Sequence, residues 1–303
     1  MKNVRKRVND LEETKQNKIG EKIIEKIFLI CALVSIISVV TITIYVFVNG
    51  LRPFVLGEYS FWNFISGTEW RPGSNLYGIF YMIVGSIVAT VGAIILGVPI
   101  ALLTAIFVAE MASSRVGKVV RFAVELLAGI PSVLYGVFGL GIIVPYVLKI
   151  SPMAQGESLL ATIIVLAVMI LPTVVSISET SISAVPDAYR EGSLALGASK
   201  MQTIFKVILP AAKSGVITGV ILGIGRAIGE TMAVMLVCGN PIAGIPTSIF
   251  DQIRPLTTNI ALEMGYASGV HQQLLFSTGV VLFVFIMIIN VVVNKIVKSK
   301  MGS

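Results

Sequence analysis

Two ionisable side chains lie inside the otherwise apolar run GRAIGETMAV, residues 225–234: Arg226 and Glu230. A guanidinium can donate two parallel hydrogen bonds to an oxyanion, and a carboxylate can accept a proton or a hydrogen bond. If such a run crosses a membrane, a charge near its middle costs from about 3 to more than 10 kcal/mol, so ionisable residues there usually serve transport or pair with one another. These two residues are therefore the first candidates for chemistry in the chain.

The composition indicates that membrane helices must position these charges. Of 303 residues, 55% are hydrophobic and only 13% are charged, with a mean hydropathy of +0.92. These values lie well outside the range of soluble globular domains. The chain is therefore predicted to be an integral membrane protein, and its two cysteines are interpreted as small apolar residues of separate spans.

Six apolar runs are long enough to cross a hydrocarbon core. They are residues 27–49, 76–109, 122–148, 158–178, 214–238 and 273–294. Each must be helical, because an unpaired backbone group facing lipid is too costly. The second run is longer than a bilayer requires, and we expect it to tilt or break near 97–99. The predicted fold class is an all-α polytopic membrane protein with six transmembrane helices.

Lysine and arginine are distributed unevenly between the loops. Most of the 23 lie in the N-terminal tail, the 110–121 and 183–213 loops and the C-terminal tail, whereas the opposite side carries Arg52, Arg71, Lys149 and Arg254. Because loops rich in positive charge remain in the cytoplasm, both termini are predicted to be cytoplasmic. The net charge of +7 then reflects topology beside anionic lipid and does not indicate nucleic-acid binding.

The segments on the opposite side have a different character. Residues 52–77 are rich in aromatic side chains, which suits a segment lying along the headgroup interface. Residues 239–272 contain apolar positions at helical spacing around Ile260, which predicts a short amphipathic helix on the outer face. His271 is interpreted as a loop residue and not as a metal ligand.

Helical geometry places the two candidate charges beside small residues. At about 100° per residue, Arg226 and Glu230 share a face with Gly215, Gly219 and Gly223. Arg226 lies roughly 22 Å along such a helix from its predicted cytoplasmic end, which is near mid-membrane. Glycines allow another helix to approach or leave a cavity open, so the region facing this stripe is not expected to be lipid.

A second group of candidates lies in AVPDAYREGSLALGASKMQTIFKVILPAAKSG, residues 184–215. Pro186 can begin a helix that runs to Gly197. Ser199 has capping-box spacing to a glutamine three residues later, which predicts a second helix ending before Pro210. From these features alone, the stretch can be an ordinary helical loop lying on the membrane.

This stretch resembles the cytoplasmic coupling loop of ABC-importer permeases, whose pattern begins with E-A-A, continues to a glycine and ends in I-x-L-P. The positions that match are Glu191, Gly197, Leu209 and Pro210. Small or conservative residues replace the two alanines and the isoleucine. The resemblance implies that this loop is seated in a cleft of a separate ATPase subunit.

Four further stretches narrow the resemblance. WRPGSNLYGIFYMIVGS, ELLAGIPSVLYGVFG, MILPTVVSIS and LGIGRAIGETMAV, in this order, look like the PstC family of permeases from phosphate-specific ABC importers. That family implies an ABC-importer permease fold with cytoplasmic coupling helices in a bacterial or archaeal inner membrane. The implied partners are a sister permease (PstA-like), an ATPase dimer (PstB-like) and an extracytoplasmic phosphate-binding protein (PstS-like). The sister permease shares the coupling loop, and WRPGSNLYG favours PstC.

The resemblance also sets the expected domain limits. A cytoplasmic tail covers 1–26, a permease domain covers 27–298 with its coupling loop at about 186–210, and a C-terminal tail covers 299–303. GSLALGASK has the glycine spacing of a phosphate-binding loop, but its lysine does not directly follow the second glycine. We therefore expect ATP hydrolysis in a partner chain, and a non-catalytic subunit without cofactor or metal.

The resemblance makes Arg226 and Glu230 candidates for the substrate path. The guanidinium can replace water around two phosphate oxygens, and the carboxylate can accept a proton from phosphate that sulfate at neutral pH lacks. We expect the two to form a closed pair when the path is empty. Ser132 and Thr173 each follow a proline and are further candidates, since helix breaks there would expose hydroxyls. An ion pair that only helps two permeases to recognise each other is the alternative.

Three other functions are compatible with parts of this pattern. The chain could be a permease for another oxyanion or small solute. An ion-gradient-driven carrier with Glu230 as a proton relay is a second alternative, although the hydropathy shows no internal repeat. A structural or sensory membrane protein is a third, and would predict no uptake defect on deletion.

Overall fold

The computed structural model describes the backbone of residues 2–301 and the side chains of residues 24–291. Its architecture is helical apart from one short antiparallel hairpin of β1 (Trp70–Arg71) and β2 (Leu76–Tyr77). In chain order the helices are α1 (Lys2–Val55), α2 (Phe61–Ser66), α3 (Phe80–Ile106), α4 (Ser114–Gly129), α5 (Ser132–Phe138), α6 (Val144–Ile150), α7 (Leu159–Ser183), α8 (Asp187–Ala195), α9 (Lys200–Thr203), α10 (Leu209–Gly229), α11 (Met232–Val237), α12 (Leu256–Glu263) and α13 (Gly269–Met301).

Within the described residues, six helical segments are long and apolar enough to cross a membrane. We number them as spans 1 to 6: Ile24–Val55, Phe80–Met111, Ser132–Ile150, Leu159–Ser183, Lys200–Gly229 and Gly269–Val291. The predicted number of spans is confirmed. The tail limits predicted at 1–26 and 299–303 fall largely on residues whose side chains lie outside the described part of the chain.

The helix break expected near 97–99 is not present. Helix α3 continues through Pro99 and ends in a π-helical turn at Phe107–Met111. Its packing explains this continuity, since a Cβ atom at Gly97 would lie 2.9 Å from the carbonyl oxygen of Ala167 in α7. A neighbouring helix at such close range holds the proline-containing turn in helical form.

The chain does break directly before span 3, and the predicted helix over 122–148 is wrong as one element. Helix α4 ends at Gly129, Ile130 and Pro131 are extended, and α5 begins at Ser132. A proline disfavours helical geometry in the residue before it, which explains the extended Ile130. The hydroxyl of Tyr135 donates to the carbonyl oxygen of Leu127 at 2.6 Å and supplements the longer bond, 3.3 Å, that this oxygen accepts from the Ile130 N–H.

The coupling loop folds largely as its sequence predicts. Pro186 precedes α8, Gly197 has a φ of +83° after it, and Ser199 forms the expected capping box with Gln202. The prediction that the second helix ends before Pro210 is wrong. A π-helical turn at Ile204–Ile208 carries the chain past this proline into α10, so span 5 is continuous from Lys200.

Helix α7 lies at the centre of the bundle between α3 and α10. Of an 18-residue apolar stretch of α7, 56% of the residues are buried, against none in the corresponding stretch of span 1. Three glycines of α10 face α7 in sequence order: Gly215 meets Ser181, Gly219 meets Ile177 and Gly223 meets Val174. A Cβ atom at Gly223 would lie 2.6 Å from the Val174 side chain. The glycine stripe predicted for span 5 therefore allows close helix packing.

A compact cap follows span 1 and joins α2, the hairpin and α12. Phe64 and Trp70 are completely buried in it against Leu256 and Leu274. The prediction of a segment lying flat at the headgroup interface is wrong for these two aromatic residues, because the cap has its own core. The predicted helix around Ile260 is confirmed as α12.

The cap contains a buried charge cluster centred on Glu263. Its carboxylate accepts hydrogen bonds from Arg254 at 2.5 Å and from the Trp70 indole at 2.9 Å, and lies 2.8 Å from His271 Nε2. His271 belongs to the first turn of α13, so its assignment to a loop is wrong. Burial raises the pKa of Glu263, but the hydrogen bonds from Trp70 and Arg254 outweigh it and hold the pKa below its ordinary value of 4.5.

The depressed pKa predicts acid sensitivity of the cap. The ionised Glu263 carboxylate contributes its full stabilisation above about pH 4.5. This stabilisation is lost as the pH falls through the lower pKa that Glu263 has in the folded protein. We expect Glu263→Gln to destabilise the cap by about 3 kcal/mol and to flatten this pH dependence. Trp70 fluorescence, measured in a Trp62→Phe background, reports the transition. Glu69→Gln, which alters an exposed pair with Arg71, is the control and should change little.

The span order also makes the predicted topology testable. Ser114 and Ser268 are exposed and are separated by three spans, so they should face opposite sides. We expect Ser114→Cys to react only from the cytoplasmic side and Ser268→Cys only from the other, in a chain lacking Cys31 and Cys238. Modification of both by the same impermeant thiol reagent, added to sealed cells, would contradict the predicted orientation.

Candidate functional site

The fifth span ends between the two candidate charges. Helix α10 stops at Gly229, Glu230 is extended with φ −69° and ψ 128°, and α11 begins at Met232. The prediction of one helix over 214–238 is therefore wrong, as is the shared helical face of Arg226 and Glu230. Glycine is a weak helix former, and Gly229 provides the point at which the helix ends.

The carboxylate of Glu230 caps the helix that follows the break. Its Oε1 accepts a hydrogen bond from the backbone N–H of Ala233 at 3.0 Å. That amide belongs to the first turn of α11, where N–H groups have no intrahelical acceptor. The Thr257 hydroxyl donates to the Glu230 carbonyl oxygen at 3.1 Å, so α12 satisfies the other side of the break.

Arg226 is held by a different neighbour. Its Nη1 lies 3.4 Å from the Thr173 hydroxyl of α7, at the end of the contact between α10 and α7. The ion pairs among the described residues do not join Arg226 to Glu230, so the closed pair expected for the empty path is not formed. Both side chains are half-buried. A guanidinium has five N–H donors, and among the described residues Arg226 donates a single long hydrogen bond.

The two prolines near the remaining candidates act differently. Ser132 is the first residue of α5, directly after the break at Pro131, and is half-buried. Thr173 follows Pro172 inside an unbroken α7, so the expected break there is wrong, although Thr173 does meet Arg226. The helices that follow the two real breaks pack together, since a Cβ atom at Gly136 of α5 would lie 2.8 Å from the Ala233 Cα atom of α11.

Sequence reasoning missed the polar surroundings of Glu230. A small pocket beside it is lined by the side chains of Ser86, Thr90 and Thr257, among others. The Ser86 hydroxyl accepts from the backbone N–H of Leu256 at 3.1 Å, which fixes the start of α12. Ser86 and Thr90 are four residues apart in an apolar run, and this spacing could have indicated a polar face.

Three of the four predicted coupling residues are exposed. Glu191, Gly197 and Pro210 are exposed and Leu209 is half-buried. Beside them is an open apolar groove of about 520 Å³ between α8 and the turn that precedes α10. Leu196, at its edge, is 91% exposed. The groove is lined mainly by apolar and small residues, as the centres of many protein interfaces are.

Residues 97–302 match the family described as the binding-protein-dependent transport system inner membrane component. The chain belongs to this family. It is thus a multi-pass inner membrane component of a transport system, and the predicted helical fold with six transmembrane helices is confirmed. The probable ABC transporter permease protein YqgH of Bacillus subtilis (strain 168) is 42% identical over 268 residues, covering 86% of each chain.

Other relatives of the permease carry a more specific description. The phosphate transport system permease protein PstC of Pasteurella multocida is 34% identical over 242 residues, covering 73% of the permease and 75% of that protein. PstC of Haemophilus influenzae is 31% identical over 258 residues, covering 79% and 81%.

Solved structures show the same fold at lower identity. A chain of the inward-facing methionine ABC transporter MetNI superposes with a TM-score of 0.54 at 22% identity, covering 73% of the permease and 94% of that chain. A chain of a bacterial alginate ABC importer gives a TM-score of 0.56 at 15% identity, covering 72% and 78%. At these identities the similarity concerns the fold alone.

The hydrogen bond from the Ala233 amide to the Glu230 carboxylate leads to a test that separates the structural role of Glu230 from its charge. Glu230→Gln keeps an acceptor for the Ala233 amide, so we expect α11 to retain its protection. Glu230→Ala removes the acceptor, which costs about 1 kcal/mol and should speed local exchange about fivefold. Hydrogen–deuterium exchange of peptides covering 231–238 measures this. Equal protection in both variants would show that the carboxylate does not cap α11.

Proposed function

We propose that this permease is the PstC-type, non-catalytic subunit of an ATP-driven importer of inorganic phosphate. The observation that carries the proposal is the half-buried guanidinium of Arg226, which donates one long hydrogen bond, to Thr173 of span 4, within the part of the chain whose side chains are described. Such a group retains donors for an anion and costs free energy without one. The PstC relatives identify inorganic phosphate as the anion to test first.

In this proposal Arg226 binds two phosphate oxygens and Thr173 positions it. A planar guanidinium matches two oxygens of a tetrahedral oxyanion and replaces part of its hydration. The Thr173 hydroxyl already contacts Nη1 and can donate its own proton to a third oxygen. Ser132, at the start of α5, offers a further hydroxyl near the broken helices and is the weaker candidate.

Glu230 then discriminates between anions. The Ala233 amide holds its Oε1, which leaves Oε2 to accept a proton from a protonated phosphate oxygen. A fully deprotonated anion offers no such proton and would meet a repelling carboxylate. The helix break supports this role, because it places the carboxylate beside the polar pocket of Ser86, Thr90 and Thr257.

Energy is expected to come from partner chains. The groove beside α8 and the matching positions Glu191, Gly197, Leu209 and Pro210 support docking of a PstB-like ATPase dimer. A PstA-like sister permease would complete the path, and a PstS-like binding protein would deliver phosphate from outside. The family description supports the involvement of a binding protein in general, and the PstC relatives support these particular partners.

The test is uptake of labelled phosphate into vesicles that contain the four proposed components and ATP. Arg226→Lys keeps the charge but loses the two-pronged donor, and the loss of a charged hydrogen bond worth about 2 kcal/mol predicts a roughly thirtyfold fall in uptake. Arg52→Lys changes an exposed arginine outside this region and serves as the matched control. Both variants should assemble normally.

Two results would contradict the proposal. Undiminished phosphate uptake by Arg226→Lys would remove Arg226 from the path. Uptake of sulfate or another oxyanion by the wild-type complex, with no uptake of phosphate, would favour a permease for that anion instead.

A further inference from the structure

Arg190 of helix α8 forms a two-pronged ion pair with Glu110, at the end of span 2. Its Nη2 lies 2.6 Å and its Nε 3.1 Å from Oε1 of Glu110. Glu110 belongs to the π-helical turn that ends span 2, eighty residues earlier in the chain. The Glu110 side chain is 9% exposed and that of Arg190 is 21% exposed. Solvent therefore screens this pair far less than a surface pair.

The same guanidinium also contacts the end of span 4. It donates to the carbonyl oxygens of Ile182 at 3.1 Å and Val185 at 2.5 Å. Ile182 lies in the last turn of α7, where its carbonyl also accepts a 3.2 Å bond from the Val185 N–H, and Val185 lies just beyond the helix. Arg190 therefore adds side-chain donors at the C-terminal end of α7. Hydrogen bonding to Glu110 is the largest influence on Arg190 and raises its pKa above its ordinary value against the opposing effect of burial. The charge is thus retained at any physiological pH.

The opposite side of α8 is free to meet a partner. Tyr189 and Leu196 line the exposed groove, with 53% and 91% of their surfaces accessible. A partner bound in the groove would contact α8 on one side, while Arg190 connects the other side of α8 to spans 2 and 4. Span 4 already continues into α8 through residues 184–186, and the ion pair adds a link to span 2.

We propose that Arg190 is a positioning residue that acts through Glu110 to make α8 and the adjoining ends of spans 2 and 4 move together. The ATPase subunit would displace α8, and both spans would follow. This inference rests on the proposed function, because it requires an ATPase partner.

A second ion pair in the same region provides a matched control. Arg121 of α4 contacts Glu179 of α7 at 2.8 Å, and their side chains are 46% and 13% exposed. This pair also joins two helices but does not include α8. Glu179→Gln and Glu110→Gln thus remove the same chemical group from comparable pairs.

The direct test measures the distance between α8 and the chain just beyond span 2. Spin labels at Ala195→Cys and Ser114→Cys, both exposed, are compared in the nucleotide-free and vanadate-trapped complex by pulsed electron resonance. In the wild type and in Glu179→Gln, we expect the distance between the two labels to be the same in the nucleotide-free and the trapped complex. In Glu110→Gln the distance should change on trapping. A wild-type distance that itself changes, or an unchanged Glu110→Gln, would overturn the proposal.

Transport gives a second readout. Glu110→Gln should lower phosphate uptake per ATP hydrolysed about tenfold while the amount of bound ATPase subunit stays constant. Loss of the bound ATPase together with uptake would show a merely structural role and overturn the proposal. The distance readout does not depend on the transported solute. A wild-type complex with the expected distances but no phosphate uptake would therefore contradict the proposed function alone.

Discussion

The close packing of α7 against α3 and α10 is the constraint on which the candidate site depends. Glycines on both neighbours meet α7 at distances where a Cβ atom would clash, as at Gly97 and Gly223. Close approach is a main source of stability where helices gain little from hydrophobic burial. The contact between Gly223 and Val174 fixes α10 in register, and three residues later Arg226 reaches Thr173. A larger residue at this contact would separate the helices and move the guanidinium away from its hydroxyl neighbour.

Helix breaks at the start of span 3 and at the end of span 5 add the second requirement. Backbone groups inside hydrocarbon must be satisfied, so an interrupted helix persists only where other groups complete it. Tyr135 does this for the break at Pro131, and Thr257 and the Glu230 carboxylate do it after Gly229. The same groups that stabilise the second break thereby bring a carboxylate to the end of α10. Stability and the proposed selectivity thus depend on one set of hydrogen bonds.

The elements that could be predicted from the sequence are those determined by residues close together in the chain. Six apolar runs, the capping box at Ser199 and the turn at Gly197 follow from properties of neighbouring residues, and the structure contains them. The sequence-based prediction failed where a residue distant in the chain determines the local structure. The end of α10 depends on Thr257, 27 residues later, and the anchor of α8 depends on Glu110, eighty residues earlier. The predicted Arg226–Glu230 pair assumed a continuous helix, and the break at Gly229 removes that assumption.

We propose that the guanidinium of Arg226, and not an Arg226–Glu230 ion pair, forms the anion site. The most direct test of this proposal is the structure, by electron cryomicroscopy, of the assembled transporter trapped with phosphate inside the path. Phosphate density is expected within hydrogen-bond distance of Arg226 and the Thr173 hydroxyl, with Glu230 still capping α11. Phosphate bound elsewhere in the path, with Arg226 and Glu230 joined to each other, would contradict it.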